Sequence, residues 1–200
     1  MKSRPVAAVL ALTLAGALLV GCGQPSSPAP TWKEVAVAEV EADAQVQIAK
    51  AEAAREELLH DMFELFGRVL GGETEQPHLE ICGPEAKAIA QRVSADKGVK
   101  IGRTSWRLRN PDNVPPTWAE TYVADQVEDA RYVRHDDGRL AALFPIRMQT
   151  SCVTCHGDAA TMDEGIKALL AESYPEDQAT GFVYPGLRGY VWVEVPAGNS

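Results

Sequence analysis

The sequence predicts an α+β domain, and three observations predict it. A long early stretch rich in Ala, Glu, Gln, Lys and Leu carries apolar residues at helical spacing. Several later segments alternate apolar and polar residues, and the junctions between them hold turn residues suited to antiparallel connections. Over residues 33–70, Ala38, Ala42, Ala49, Ala53, Leu59, Met62, Phe63, Phe66, Val69 and Leu70 fall near one stripe, and Gly71-Gly72 supplies the stop. This reads as one long N-terminal helix, with Met62 in its core stripe and His60 at its solvent boundary.

A second helix is expected over residues 79–94, starting near Cys82 or Gly83 because Pro84 suits a first turn. Residues 100–109 have the partial period of a strand, with Ile101, Trp106 and Leu108 as its apolar positions. Pro111, Pro115 and Pro116 break the chain, and Pro116 is placed to open a helix through Trp118, Tyr122, Val123 and Val127. Residues 131–148 read as a hairpin around Asp136-Asp137-Gly138, since Asp-Gly favours a tight turn. Residues 163–173 form a short helix. Residues 188–195 form a last strand with Tyr190, Trp192 and Glu194 on one face. No internal repeat is visible.

The N-terminus carries an address. Lys2 and Arg4 precede an apolar run from Val6 to Val20, too short to span a bilayer comfortably but right for a signal-peptide core. Leu19-Val20-Gly21-Cys22 resembles the lipobox of bacterial lipoproteins, which makes residues 1–21 a signal peptide and Cys22 a lipidated first residue. Several acyl chains, at about 0.8 kcal/mol per buried methylene, anchor a protein firmly. Gln24 in place of Asp favours the outer membrane in that pattern. Residues 22–32, rich in Gly, Pro and Ser, are a flexible tether, and residues 33–197 are the domain. Removing 21 residues from 200 leaves 179, one domain of ordinary size, and losing Lys2 and Arg4 takes the formal charge from −9 to −11. Such acidity excludes a nucleic-acid backbone as partner and suits a basic protein partner.

Cys152-Val153-Thr154-Cys155-His156 is the attachment signature of a c-type haem. Two thiols three positions apart can add to the two vinyl groups of one porphyrin, and the adjacent imidazole can ligate its iron. With 4 Cys and 4 His in 200 residues, chance order gives roughly 0.002 such pentapeptides. A redox dithiol would want the pair at a helix start after a βαβ pattern, and a zinc site would want a second close pair of ligands. Neither is present in the sequence. One covalent haem c is therefore expected, held by Cys152, Cys155 and His156 in an extracytoplasmic protein.

The remaining thiol, Cys82, has two readings: an inert core thiol, since free Cys is often buried, or the second axial ligand of the iron. His78 competes for that position. His135 lies at a turn and reads as solvated. Met148 and Met162 are too close in sequence to the motif to double back as ligands. Arg103, Arg107 and Arg109 offer forked donors matched to haem propionates, or else form the wet face of an edge strand. Trp106 and Trp118 read as core aromatics.

Together, Ile81-Cys82-Gly83-Pro84, Arg103-Thr104-Ser105, the run from Arg107 to Pro115, Pro145-Ile146, Cys152 to Gly157, Tyr174 to Gly181 and Arg188-Gly189 resemble the family of PAS-like domains that bind haem c. The resemblance spans residues 58–195. It implies a PAS-like antiparallel sheet with flanking helices enclosing the cofactor, His156 as proximal ligand, and Cys82 as sixth ligand to the iron. It also implies a sensor of redox state or of a small ligand such as a diatomic gas, signalling to a separate partner protein. A low-potential electron carrier at the membrane surface is the alternative, and a haem peroxidase is disfavoured by a thiolate on the iron.

Overall fold

A computed structural model describes residues 31–72 and 83–198. Among them, β1 (Trp32–Glu34), β2 (Lys100–Thr104), β3 (Arg131–His135), β4 (Leu140–Arg147) and β5 (Leu187–Val195) form one antiparallel sheet in the order β1-β3-β4-β5-β2. The helices are α1 (Ala42–Leu70), α2 (Pro84–Lys97), α3 (Glu120–Ala124), α4 (Val153–His156) and α5 (Glu164–Ser173). The architecture is α+β and PAS-like, an open antiparallel sheet with flanking helices.

The two faces of the sheet are covered differently. Buried α1 residues Ala44, Ile48, Ala51, Leu58, Met62, Leu65 and Val69 recur every three, four or seven positions, so one helix face is apolar along its length. Ala51, Ala54, Leu58 and Met62 pack with Ala142 and Phe144 of β4 and with Val191, Val193 and Val195 of β5. Small residues on the helix let its backbone approach the sheet, and Phe144 with the valines of β5 fills the space between. On the opposite face Leu143 and Tyr190 pack with Ala119 and Val123, flanked by Trp106, Trp118 and Trp192. Strand residues two apart share a face. Tyr190 and Trp192 accordingly lie together here, and Glu194 accepts from Trp118 Nε1 at 2.9 Å.

Several boundaries differ from expectation, each for a physical reason. The first helix starts at Ala42 rather than at residue 33, because residues 32–34 are drawn into the sheet as β1. Trp32 lies 4.9 Å from the His135 ring and 5.9 Å from Trp118, and Lys33 pairs with Asp136 at 2.8 Å. The strand expected over residues 100–109 ends at Thr104. Beyond it Ser105 Oγ donates to the Arg188 carbonyl at 3.0 Å and the chain peels away as a loop toward Pro111. The segment after Pro116 is also shorter than expected, a 3-10 turn at Thr117–Ala119 followed by α3, ended by Gln126 in the left-handed region at φ 53°.

Pro84 opens α2 as its placement implied, but the helix runs past its expected end at residue 94 until Gly98 closes it at φ 58°, with Val99 N donating to the Ser94 carbonyl at 3.1 Å. Asp163 caps α5 by accepting from Gly165 N and Ile166 N. Arg92 of α2 bridges Glu57 and Asp61 of α1, and Lys97 reaches Glu57 at 2.7 Å. No helix among the described residues is long and apolar enough to cross a membrane.

Candidate functional site

After β4 the chain passes through fully buried Met148, whose N–H donates to the Gly186 carbonyl at 2.8 Å, into a 3-10 turn at Thr150–Cys152 that runs on as α4. Residues three apart in a helical turn share a side. Cys152 and Cys155 both line one cleft, together with His156, and both are thiols. Gly157 follows because the backbone closes tightly there: a Cβ would lie 2.7 Å from the Val153 carbonyl oxygen.

His156 is held in one tautomer. Its Nδ1 lies 2.7 Å from the Ala179 carbonyl oxygen, and a carbonyl only accepts, so Nδ1 carries the proton and Nε2 keeps its lone pair. Burial, then the positive charges of Arg188 and Arg109, push the imidazole well below its ordinary pKa, while the Ala179 carbonyl pulls the other way. The ring is thus neutral at pH 7, the form that ligates a metal. The backbone on either side is laced to the same loop: Gly181 N donates to the Gly157 carbonyl at 2.7 Å and Phe182 N to the His156 carbonyl at 2.9 Å.

Four arginines line the cleft, and their commitments differ. Arg109 is buried. It donates from Nε to Asp177 at 3.1 Å, and from Nη2 to the carbonyls of Cys155 at 2.6 Å and Ala179 at 3.3 Å. Arg107 donates to the Thr180 carbonyl at 2.9 Å, and Arg107 and Arg188 lie over the Phe182 ring at 5.0 and 4.6 Å. The π cloud offsets part of the repulsion between the two cations. Arg103, on edge strand β2, is the fourth. Two buried polar atoms of cleft residues, Arg109 Nη1 and Thr104 Oγ1, lack a hydrogen-bond partner among the described residues. Such groups are costly unless something pairs with them.

The other wall is apolar, formed by Leu59, Met62, Phe63 and Phe66 of α1, with Ile146 at a register shift in β4. Gly189 keeps the floor thin, since a Cβ there would lie 2.5 Å from the Thr104 carbonyl oxygen. The cleft holds about 1150 Å³ of space, solvent at its mouth included. An apolar wall, a cationic rim, unpaired donors, two thiols and an imidazole lone pair suit a large, flat apolar ligand that bears carboxylates and a metal. Among the described residues no three His, Cys, Asp or Glu side chains converge on one point, as a structural zinc site would require.

The structure therefore gathers Cys152, Cys155, His156, Arg103, Arg107 and Arg109 in one cleft. Cys82, His78 and Cys22 lie outside the described residues. His60 is exposed on α1, 3.9 Å from Glu64, and Met62 is buried in the core as its stripe implied. Sequence reasoning did not single out Asp177, Ala179, Phe182 or Arg188 as site residues. The signal for Asp177, Ala179 and Arg188 was the block from Tyr174 to Gly181 and the Arg188-Gly189 pair, which figured only in the resemblance, and Phe182 lies just past that block.

No protein of curated function matches this chain. The crystal structure of the cyanobacterial heme-protein Tll0287 superposes with a TM-score of 0.57 at 25% sequence identity, covering 80% of this chain and 99% of that one. The family model described as Tll0287-like matches residues 33–196, from the second residue of β1 to just past the end of β5. A match over that span takes in all of the sheet but Trp32 and every cleft residue named above, and the chain belongs to the Tll0287-like family.

Proposed function

We propose that this chain is a monohaem c protein in which Cys152 and Cys155 form the two thioether bonds and His156 Nε2 ligates the iron. The observation that carries it is the joint placement of both thiols and a neutral, tautomer-fixed imidazole on one cleft. When bound, the haem supplies one-electron exchange between ferric and ferrous iron and a place for a diatomic ligand. Thr104 Oγ1 and Arg109 Nη1, with the cations of Arg103, Arg107 and Arg188, are suited to propionates, and the apolar α1 residues would shield a bound ring from water. The heme-protein structure to which the chain is similar supports the same cofactor class.

The role that fits best is a sensor of redox state or of a small ligand. Cys82, taken as the sixth ligand on the family resemblance, stands two positions before Pro84, where α2 begins, and that helix is clipped to α1 by Arg92 and Lys97. A bond made or released at Cys82 would be felt at the start of that helix, whose movement a partner protein could read. Cys22 would carry the lipid anchor that holds the domain outside the cytoplasm, at the outer membrane. A second reading, an electron carrier, is favoured by exposed Val153, Val183 and Tyr184 beside the attachment turn, an apolar surround suited to brief docking.

Haem-stained denaturing gels and acid-acetone extraction test the covalent link: the pigment stays with wild-type protein and is lost from the Cys152→Ala, Cys155→Ala variant. Extraction of pigment from the wild type would refute it. A redox titration followed by absorption and EPR tests the ligand set. Six-coordinate, low-spin ferric haem that admits carbon monoxide only after reduction is expected, and Cys82→Ala should open the ferric site. An unchanged Cys82→Ala spectrum would return the sixth position to His78 or water.

A further inference from the structure

We propose that Asp177 and Arg109 are positioning residues for the His156 imidazole, acting through the backbone of Ala179; the inference rests on the haem reading above. The two side chains form an ion pair at 3.0 Å with only 10% and 5% of their surfaces exposed. A buried pair of this kind has to recover its desolvation cost through well-made hydrogen bonds. Asp177 Oδ1 accepts from Ala179 N at 2.7 Å, an Asx-type turn that fixes the direction of the chain entering the next peptide. Asp177 Oδ2 accepts from Arg109 Nε at 3.1 Å and lies 3.0 Å from Nη2. Arg109 Nη2 also donates to the carbonyl of Cys155, the residue before the histidine, and to that of Ala179.

These contacts close a ring. From His156 Nδ1 it passes to the Ala179 carbonyl, back through the turn to Asp177, across to Arg109, and from Arg109 to the Cys155 carbonyl, which is one peptide from where it started. Three segments far apart in sequence are thereby fixed relative to one another. The imidazole cannot rotate about its Cβ–Cγ bond without breaking its bond to Ala179, and the Ala179 carbonyl cannot follow it without breaking the turn. Gln178 N adds a further tie, donating to the Leu108 carbonyl at 2.9 Å. A carbonyl held at 2.7 Å from Nδ1 also draws electron density toward Nε2, making it a stronger donor to iron and favouring the ferric state. Loss of such outer partners typically lowers metal affinity or activity by about 10- to 100-fold.

The test uses full-length holoprotein carrying Asp177→Asn, Arg109→Gln or both, the double variant keeping the local net charge unchanged. Alkaline pyridine haemochrome reports covalent haem, ferric EPR reports the imidazole's orientation, and a redox titration gives the midpoint potential. Both single variants and the charge-neutral double variant should keep haem, show altered and broadened g-values, and titrate at a more positive potential. Arg109→Lys, which keeps the charge but not the fork, should fall between wild type and Arg109→Gln. If the double variant matches wild type in EPR and potential while only its melting temperature falls, the pair is a structural staple and the inference fails. If Asp177→Asn does not mature, Asp177→Glu, which keeps the charge but not the short turn to Ala179 N, decides in its place, and identity with wild type overturns the proposal. Absence of haem from wild type would refute the haem reading itself, and the haemochrome assay separates that failure from the others.

Discussion

The face of the sheet behind α1 and the cleft at the edge of β2 are held together by different forces. Behind α1 the contacts are aliphatic and non-directional: Ala51, Ala54, Leu58 and Met62 against Val191, Val193 and Val195. Around the cleft the chain has little regular structure, and its loops are fixed by directional bonds. Backbone N–H groups of Gln178, Gly181 and Phe182 reach carbonyls of Leu108, Gly157 and His156, and Arg109 gathers three more acceptors. Aliphatic packing tolerates small shifts, because apolar contacts weaken gradually and can be repacked. A hydrogen bond fails over a few tenths of an ångström. The difference teaches that the first region sets how stable the molecule is and the second sets how precisely one imidazole is aimed.

The largest effect that would test this division comes from Leu58→Ala. Leu58 is fully buried between α1 and the sheet, and its truncation should cost about 3 kcal/mol in denaturant unfolding. The haem absorption and EPR spectra of the folded fraction should be unchanged. A spectral change would show that α1 transmits strain to the cleft wall it shares and would break the division.

A smaller effect lies at alkaline pH, where each face has a tyrosine held above its ordinary pKa. Burial and then the bond to Glu52 raise Tyr132, and burial and then Glu128 raise Tyr190, each to about 12. Both are protonated in folded and unfolded chains below pH 10. Between pH 10 and 12 the unfolded chain releases the protons first, so the stability they contribute is lost across that window as pH rises. Unfolding midpoints measured from pH 9 to 12 should fall, and Tyr132→Phe or Tyr190→Phe should each flatten the curve. The variant that flattens it more identifies the face that yields first; a wild-type curve with no slope there would contradict both assignments.

The smallest effect is expected from Arg92→Gln. Its bridges to Glu57, Asp61 and Asp96 are solvent-exposed, so the thermal midpoint should barely move in 0.15 M salt. A large drop would mean that the α1–α2 contact depends on ions rather than on its apolar residues.

What was legible in the sequence follows the same division. The α1 stripe, the hairpin at Asp137-Gly138, Pro84 at the start of α2, the short helix after Asp163 and the alternation of β5 are local codes, and each appears where its residues place it. Residues 32–34 have no period to read, because a three-residue strand is selected by its partner, here through Trp32 against His135. The Arg107-Leu108-Arg109 alternation imitates a strand, yet those residues leave the sheet because they bond to a loop some 70 positions away, as Arg109 does to Asp177 across 68. The attachment motif was plain because its chemistry depends on spacing alone. The ring that orients its histidine was not, since nothing near Arg109 in sequence announces Asp177.

β1 also determines where the domain would meet its tether. It is the edge strand opposite β2, with β3, β4 and β5 between them, so at about 4.8 Å per strand the two edges are roughly 19 Å apart. Thr31 leads into that edge and is tied to the hairpin tip at Asp136. If Cys22 carries lipid, the tether from Cys22 to Thr31 reaches at most roughly 30 Å when fully extended. Such a tether is longer than the sheet is wide, so the domain would be free to turn on its anchor, and a soluble partner could approach the cleft without the bilayer barring one side of it.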